Sequence, residues 1–552
     1  MKASSKRLST CEVNILHLPK FHTPLLLLKA FSELGSRTLK LVAVIALLTS
    51  LALIAAPHVE AGGYRYVFDV GVDGDANVTI TFTSKEPGSS WLLVPRGFTP
   101  WDLRVDDGYI VSDELSEAKP TSYVFYLNYS FTYSTGPDGF KAEITYRTRY
   151  VAFIEEPRGF FYSTQVSSCP SDELEVDVYL PPGSSKSVTI YGASNYLVEE
   201  SNGRVVIKVF DRPKYGRLAI EFSLPNTTPN LTVVSNHHFH VKAASRYLDL
   251  AEKVLDVYVK AYPTLTELFG IELDDVEVRL YVPDINDVMS GVGGYVPFKA
   301  GKLGEINLNM FYIRAVEGSF ELIALHELVH HFLWRVGIPP DRLWVHEGLA
   351  EYLSIEVAKL LKLGRGVDDH EEMLLQVALN LDNLGFVQGW DFSTVGDLTP
   401  YYAASYYVFR SLGDDYGGLN YYRMFFSYVK SRGGVEIDEE VIACLSLAAN
   451  ESLTYRFKGW GFELGGLKVE RVETLVKNLP SWCQPAKLLA KLLLEAAKVA
   501  EEWVDRGRSK ALLEAAAYIT EHAELISVAV YALIALTLTW SLRRLVDLKR
   551  RS

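Results

Sequence analysis

The sequence predicts an α+β multidomain protein, with an N-terminal antiparallel β-sandwich, a mostly helical domain after it, C-terminal helices and a transmembrane helix. Three observations predict this class. Between residues 63 and 229, apolar and polar residues alternate over short runs, as they do in half-buried β-strands. Between residues 230 and 480, the longest segments have the length and periodicity of helices. Residues 525–542 then form an apolar run without a charge.

Composition narrows the possible partners. The chain has 552 residues, of which 48% are hydrophobic, which is enough for more than one buried core. Its formal net charge is −13, and no long basic run occurs outside the termini. Because a nucleic-acid surface needs clustered positive charge, we exclude nucleic acid as a partner.

The N-terminal 62 residues have the pattern of an export signal. Basic residues are spread over residues 1–40, and an uncharged apolar run follows at 41–56. Ala61 and Gly62 lie in a small-residue stretch that offers a cleavage site. The apolar run is short for a membrane span, so we favour a cleaved signal peptide over an N-terminal anchor.

Residues 63–229 are assigned to the β-sandwich. Their alternating runs are separated by turn sequences such as Gly-Pro-Asp-Gly, which is typical of short antiparallel strands. No cluster of ligand-type residues stands out among them. A segment rich in Pro and Asn at 225–230 marks the boundary with the next domain, assigned to 230–480.

The strongest chemical signal is the pattern His326-Glu327-x-x-His330 in a helix predicted over 320–336. At 3.6 residues per turn, the two histidines share one helix face and can bind a single zinc ion. Glu327 lies beside them, where it can polarise a metal-bound water. The pattern requires a third ligand from elsewhere in the chain.

The next helix, predicted over 344–363, can supply that ligand. Glu347 follows His330 with sixteen residues between them, after a break at 337–340 that lets two helices fold against each other. Glu351 lies one turn further on the same face. From there it can accept the second ring N–H of a ligand histidine and fix its tautomer.

HELVH followed by WVHEGLAEY resembles the gluzincin metallopeptidases, the group of thermolysin and the aminopeptidase N family, and most closely their shorter peptidase-MA-like relatives. The resemblance covers roughly residues 235–430, although the third ligand is two residues closer than in the aminopeptidase N family. It implies a thermolysin-like domain that binds one Zn²⁺ per chain through His326, His330 and Glu347. Glu327 would be the general base, and the substrate a peptide or protein.

Two further assignments come from this resemblance. The segment 399–417 corresponds to the part of the family that brings a tyrosine hydroxyl to the metal, which selects Tyr402, with Tyr401 as the alternative. Residues 305–310 stand where related enzymes have an exposed edge strand that pairs with substrate. An interior strand is the alternative for that segment.

The sequence favours an endopeptidase over an aminopeptidase. Aminopeptidases of the related family bind the substrate amine with a glutamate in a Gly-x-Met-Glu-Asn stretch before the zinc helix, because a buried ammonium needs a carboxylate. This chain has no such stretch. Glu305 is the nearest substitute, at a different spacing.

Other residues suited to metal binding or cross-linking are assigned more ordinary roles. His331 and His346 diverge from the ligand face, so we expect neither to bind the metal. Among the exported cysteines, one disulfide is expected, most plausibly between Cys444 and Cys483, which leaves Cys169 free. The N-glycosylation sequons suit an exported glycoprotein; they are at Asn77, Asn128, Asn226, Asn230 and Asn450.

The C-terminal part indicates a single-pass membrane protein. Residues 481–524 are predicted as a helical stalk, 525–542 as the transmembrane helix and 543–552 as a basic cytoplasmic tail. The expected function is therefore a cell-membrane-anchored, extracytoplasmic zinc metallopeptidase. The alternative is a surface binding or scaffold protein whose peptidase-like domain is structural and non-catalytic.

Overall fold

A computed structural model describes residues 62–551, except 97–99, 119–124, 226–227, 300–301, 465–468 and 503–505. The predicted signal peptide or anchor therefore lies outside the described residues, apart from Gly62. The chain divides into two compact units. The first runs to Asp256 and adds Asp275–Pro297 and Glu305–Val316; the second comprises Val257–Asp274, Phe298–Gly304 and Glu317 onward. This division differs from the predicted boundary at 229/230 because the small sheet that follows residue 230 groups with the β-rich part.

The first part of the chain is β-rich, as predicted. Buried and exposed side chains alternate along β1 and β2, because successive residues of a strand point to opposite faces. The strands, in chain order, are β1 Gly63–Val70, β2 Ala76–Ser84, β3 Gly88–Pro95, β4 Trp101–Asp107, β5 Tyr109–Glu117, β6 Tyr126–Ser134, β7 Phe140–Thr148, β8 Ala152–Glu155, β9 Arg158–Tyr162, β10 Glu173–Tyr179, β11 Thr189–Tyr191, β12 Tyr196–Ser201, β13 Arg204–Val209 and β14 Ala219–Ser223.

These strands form three sheets within the described residues. Their strand orders are β12-β13-β10-β1-β2-β7-β4, β11-β14-β9-β8 and β3-β6-β5. Buried side chains from all three sheets, including Phe68, Phe131 and Ile220, belong to one apolar core. The sequence had indicated wholly antiparallel pairing. This prediction is wrong for one pair of strands, because β1 and β10 run parallel. A long stretch of chain separates these two strands, so no hairpin dictates their direction.

A further five-stranded sheet has the order β15-β16-β17-β21-β18. Its strands are β15 Leu231–Ser235, β16 Phe239–Ala244, β17 Val276–Tyr281, β18 Gly294–Tyr295 and β21 Ile306–Asn309, while β19 Phe298–Lys299 and β20 Lys302–Leu303 form a separate hairpin. The prediction that residues 305–310 form an exposed edge is wrong. Strand β21 pairs with β17 on one side and with β18 on the other, and all four of its residues are buried.

The rest of the chain is mostly helical. In chain order the helices are α1 Leu248–Phe269, α2 Ile285–Ser290, α3 Ser319–Val336, α4 Leu343–Leu361, α5 Arg365–Ala378, α6 Thr399–Tyr416, α7 Leu419–Arg432, α8 Asp438–Ala449, α9 Thr454–Gly459, α10 Val469–Asn478, α11 Gln484–Glu502, α12 Arg506–Glu521 and α13 Ala523–Arg551. Helix α3 ends at Gly337, whose positive φ of 101° turns the chain away from the helix axis. The two helices that carry the predicted ligands therefore exist close to their predicted bounds.

The C-terminal helices form their own apolar cluster. Helices α10, α11 and α12 bury residues such as Val472, Leu494 and Ala516 together. Helix α13 is long and apolar enough to span a membrane over Ala523–Ser541. Large apolar side chains along it, among them Leu536 and Trp540, are exposed.

The predicted disulfide between Cys444 and Cys483 is wrong. Cys444 is buried within α8, whereas Cys483 is buried beside Ala486 and Ala523 in a different cluster. Both are free thiols. Proximity in the sequence did not bring the two sulfur atoms together, because each cysteine is buried at its own place in the fold as a small apolar residue.

Candidate metal centre

Three predicted ligands converge between α3 and α4. His326 and His330 lie one turn apart on α3, and Nε2 of each faces Oε2 of Glu347 on α4, at 3.1 Å and 3.5 Å. One ligand atom from each of the three residues lies within 4.8 Å of the other two. Two ligands of a tetrahedral zinc ion with bonds of about 2.0–2.1 Å are about 3.3 Å apart. The spacing of these donor atoms therefore fits a single zinc ion.

The second ring nitrogen of His330, Nδ1, also has a hydrogen-bond partner. Nδ1 of His330 lies 2.7 Å from Nδ1 of His346, and the two rings stack with centroids 4.7 Å apart. Burial and the nearby His330 hold the pKa of His346 well below its usual range, so its imidazole is neutral. His346 can then accept the Nδ1–H of His330, which leaves Nε2 of His330 free to bind a metal. His346 therefore contacts the candidate ligand His330, but it is not itself part of the group formed by His326, His330 and Glu347.

Glu351 approaches the other candidate ligand. Its Oε1 lies 3.8 Å from Nδ1 of His326, and its Oε2 lies 2.9 Å from Nε2 of His370 on α5. Burial opposes ionisation of Glu351, but His370 and His326 together hold its pKa below the usual value. Glu351 therefore presents a carboxylate to the histidine, at the place that the helical spacing predicted.

His370 is a contributor that the sequence did not reveal. It lies on a third helix, α5, and its neighbours Asp369 and Glu371 made it resemble part of an ordinary charged helix face. Burial lowers the pKa of His370, but Glu351 outweighs this effect and the net shift is upward. A protonated His370 forms an ion pair with Glu351 and fixes the orientation of that carboxylate.

The predicted base, Glu327, is buried next to the two histidines, with 6% of its surface exposed. Burial raises its pKa, and the opposing effects of His330 and His326 are smaller. Tyr258 on α1 is close enough to Glu327 to interact electrostatically, and its hydroxyl donates to the carbonyl oxygen of Ala324 at 3.0 Å. A carboxylate in such a site is a better proton acceptor than one in water.

The structure distinguishes between the two candidate tyrosines. The carboxylate of Glu347, together with burial, raises the pKa of Tyr402 well above its usual value, so the hydroxyl of Tyr402 lies near that carboxylate. The ring of Tyr401 instead packs against Phe386 and Trp390, with centroids 5.0 Å and 5.4 Å apart. Of the two, Tyr402 is the one that reaches the ligand cluster.

The approach of α6 to α4 depends on a glycine. A Cβ added to Gly348 would lie 2.8 Å from the carbonyl oxygen of Ser405 and 2.8 Å from Cδ2 of Phe409. Both distances are shorter than ordinary carbon contacts, and the first involves backbone that cannot rotate away. Because Gly348 adjoins Glu347 and Ser405 is on the same helix as Tyr402, this close packing fixes the spacing between the two functional side chains.

His331 stays apart from the ligand cluster. Burial, with a contribution from His330, lowers the pKa of His331 to about 4, so the side chain is neutral. Its Nε2 has no hydrogen-bond partner among the described residues. His331 is not part of the group formed by His326, His330 and Glu347.

No family model and no curated protein matches the chain.

Proposed function

We propose that this protein is a membrane-anchored zinc metallopeptidase of the gluzincin type, with a thermolysin-like catalytic domain. The convergence of His326, His330 and Glu347, with Glu327 buried beside them, is the observation that carries the proposal. This set combines two imidazoles and a carboxylate, the ligand set of catalytic zinc sites that keep a coordination position open.

A zinc ion held by these three residues would lower the pKa of a water molecule and polarise a substrate carbonyl. The protein's own residues would supply the proton transfers. Glu327 would take the proton from the attacking water and later deliver it to the leaving amine nitrogen. Its raised pKa favours both transfers, because a group whose pKa is closer to the working pH can both accept a proton and donate it.

Tyr402 would act when negative charge develops on the substrate carbonyl oxygen. The effect of Glu347 on the pKa of Tyr402 shows that this hydroxyl lies near the ligand cluster. A hydroxyl placed there can donate a hydrogen bond to an oxyanion. Glu351, held by His370, would keep Nε2 of His326 directed at the zinc ion.

The proposed substrate is a peptide or protein, and an endopeptidase remains the favoured class. Residues 305–310 offer no open edge to a substrate, because β21 is paired on both sides. The chain does, however, lack the Gly-x-Met-Glu-Asn stretch. Without an amine-binding glutamate, the enzyme has no reason to require a free amino terminus.

We further propose that the β-rich part forms a β-sandwich. Helix α13 would be the membrane anchor, with the basic tail in the cytoplasm and the catalytic domain outside the cell. The apolar residues exposed along Ala523–Ser541 would then contact lipid.

The decisive experiment is peptide hydrolysis by the full-length chain purified in detergent, with and without a zinc chelator. Activity that is lost with chelator and restored by zinc is expected. A zinc-loaded protein that cleaves no peptide in a diverse peptide mixture would favour the non-catalytic scaffold instead. Comparing each cleaved peptide with its N-acetylated form tests the endopeptidase assignment. Strict dependence on the free amine, lost in Glu305→Ala, would contradict that assignment.

A further inference from the structure

Two arginines of the first unit, Arg217 and Arg314, lie against the same two residues. Nη1 of Arg217 donates to the carbonyl oxygen of Ser163 at 2.9 Å, and Nη2 of Arg314 donates to the same oxygen at 3.4 Å. Both guanidinium groups also lie over the ring of Tyr162, at 5.9 Å and 5.6 Å from its centroid. Two positive charges are therefore held beside each other in the fold.

The other partners of this pair are neutral. Arg314 donates to the carbonyl oxygen of Tyr162 at 2.7 Å, and Arg217 donates to the hydroxyl of Tyr126 at 3.2 Å. The groups that act most strongly on the charge of Arg314 are Arg217 and three tyrosines, and no carboxylate is among these strongest contributors. The stretch 119–124, which precedes Tyr126 in the chain, contains no Asp or Glu.

An uncompensated pair of this kind is unfavourable. Burial and the neighbouring Arg217 lower the pKa of Arg314 to about 10, the direction expected for a cation that lacks a counter-charge. Cations removed from water are normally matched by an anion, because the desolvation cost is otherwise not recovered. The protein holds the pair in place through Ser163 and Tyr162 without supplying that anion from the residues that the structure describes.

Part of the hydrogen-bonding capacity of the pair is unused. Arg217 makes its hydrogen bonds through Nη1, which leaves Nε and Nη2 without an acceptor in the described part of the chain. Nε of Arg314 likewise has no acceptor among the described residues. Arg217 and Arg314 are both half-buried, and none of these nitrogen atoms belongs to the fully buried polar atoms without a partner. A guanidinium presents such donors in a planar fork that matches two oxygen atoms of one anion.

We propose that Arg217 and Arg314 form a binding site for an oxyanion, the carboxylate or phosphate group of a small ligand. The anion would accept from the unused donors of both arginines and neutralise the pair. Tyr126 and Tyr162 would flank it and limit its size. This site belongs to the β-rich part of the protein and does not depend on the proposed peptidase activity.

The test uses the full-length chain in detergent and two anions, inorganic phosphate and acetate. Thermal unfolding is measured as each salt is titrated at constant ionic strength against sodium chloride. For the wild type we expect a saturable rise of the midpoint with at least one of the two anions. A response to phosphate alone would identify a phosphate group as the ligand, and a response to acetate alone would identify a carboxylate.

Variants separate the site from a general salt effect. Arg217→Gln should abolish the saturable rise, and Arg217→Lys, which keeps the charge but not the fork, should weaken binding about tenfold or more. Arg104→Gln is the matched control, because the Arg104 side chain is 77% exposed and pairs with Asp106 in the same unit. It should respond as the wild type does.

Two outcomes would overturn the proposal. One is an equal response of the wild type and Arg217→Gln to both anions. The other is a wild-type unfolding midpoint that neither anion raises.

Discussion

Oε2 of Glu351 lies 2.9 Å from Nε2 of His370, while its Oε1 lies 3.8 Å from Nδ1 of His326. One carboxylate therefore connects a candidate metal ligand on α3 with a histidine on α5. Glu351 therefore approaches His326 at the ring nitrogen opposite to the one that faces Glu347, and Glu351 is itself held by a third helix.

This connection predicts a loss of zinc affinity when the carboxylate is removed. Glu351→Gln should weaken zinc binding about 10–100-fold, because residues that orient a metal ligand typically contribute that much. His370→Ala should have a smaller effect, since it acts through Glu351. Competition with a chromophoric chelator measures both. Glu356→Gln is the control on the same helix, where Glu356 pairs with Lys359; equal affinities in Glu351→Gln and this control would contradict the prediction.

The assignment of the base predicts that metal binding and catalysis separate. Glu327→Gln should keep one zinc ion per chain and lower the rate of peptide hydrolysis about 100-fold or more, because the amide cannot accept the proton. Metal analysis and steady-state kinetics on the same preparation check this. Full activity in a zinc-loaded Glu327→Gln protein would remove Glu327 from the mechanism.

The two neighbouring tyrosines provide a paired test. Tyr402→Phe should lower kcat about 100-fold with little change in KM, because the lost hydroxyl acts on the developing oxyanion and not on the bound substrate. Tyr401→Phe removes a hydroxyl from a ring that packs against Phe386 and Trp390, and its activity should be unchanged. If both variants lose activity equally, the hydroxyl of Tyr402 has no special role.

Zinc binding should depend on pH through His326. Burial lowers the pKa of His326, but Glu351 and Glu347 outweigh this effect and raise it to about 9 in the metal-free protein. Zinc must displace that proton below pH 9, so the affinity should fall about tenfold for each pH unit on the acid side. Apparent dissociation constants at several pH values give the slope. For Glu351→Gln the fall should begin at a lower pH, because Glu351 no longer raises the pKa of His326. An affinity that does not change with pH would contradict the assignment.

The same raised pKa affects the stability of the metal-free protein. Protonated His326 is stabilised in the fold, so its contribution is fully present below the unfolded-state pKa of about 6.5. It is lost as the pH rises through the folded-state value of about 9. The free energy of unfolding of the metal-free chain should therefore decline toward alkaline pH, and added zinc should reverse the decline. Denaturation experiments across this pH range measure it.

The proposed topology predicts that only the basic tail is protected in intact cells. Lys and Arg residues favour the cytoplasmic side of a membrane helix, which places the tail after α13 inside. A protease added to cells should digest the chain between about residues 64 and 520 and spare an epitope tag fused after Ser552. Protection of the large fragment until the membrane is permeabilised would reverse the orientation.

Sequence patterns located the helices of the site because the candidate residues lie close together along the chain. His326, Glu327 and His330 lie within two helical turns, and Glu347 follows after one break, so helical periodicity was enough to place them on facing surfaces. Glu351 followed from the same periodicity. Such patterns predict well wherever neighbours in space are also neighbours along one helix.

The sequence was less informative where partners are distant in the chain. Residues 305–310 were expected at a sheet edge, but Gly294 and Tyr295 form a two-residue strand beside them that is too short to produce an alternating pattern. His370 contributes from another helix, and nothing in its charged surroundings distinguished it. Cys444 and Cys483 show the converse, since residues that seemed close in the sequence lie in different packing clusters.

Gly348 shows that a residue without reactive chemistry can limit how the site evolves. Its missing side chain lets the backbone at Ser405 approach, and a single methyl group there would wedge apart the helices carrying Glu347 and Tyr402. Exchange of a surface charge elsewhere would be tolerated far more readily than this small change. Libraries that diversify the proposed catalytic residues should therefore keep glycine at position 348. A larger residue there would separate Glu347 from Tyr402, whatever other residues the library introduced.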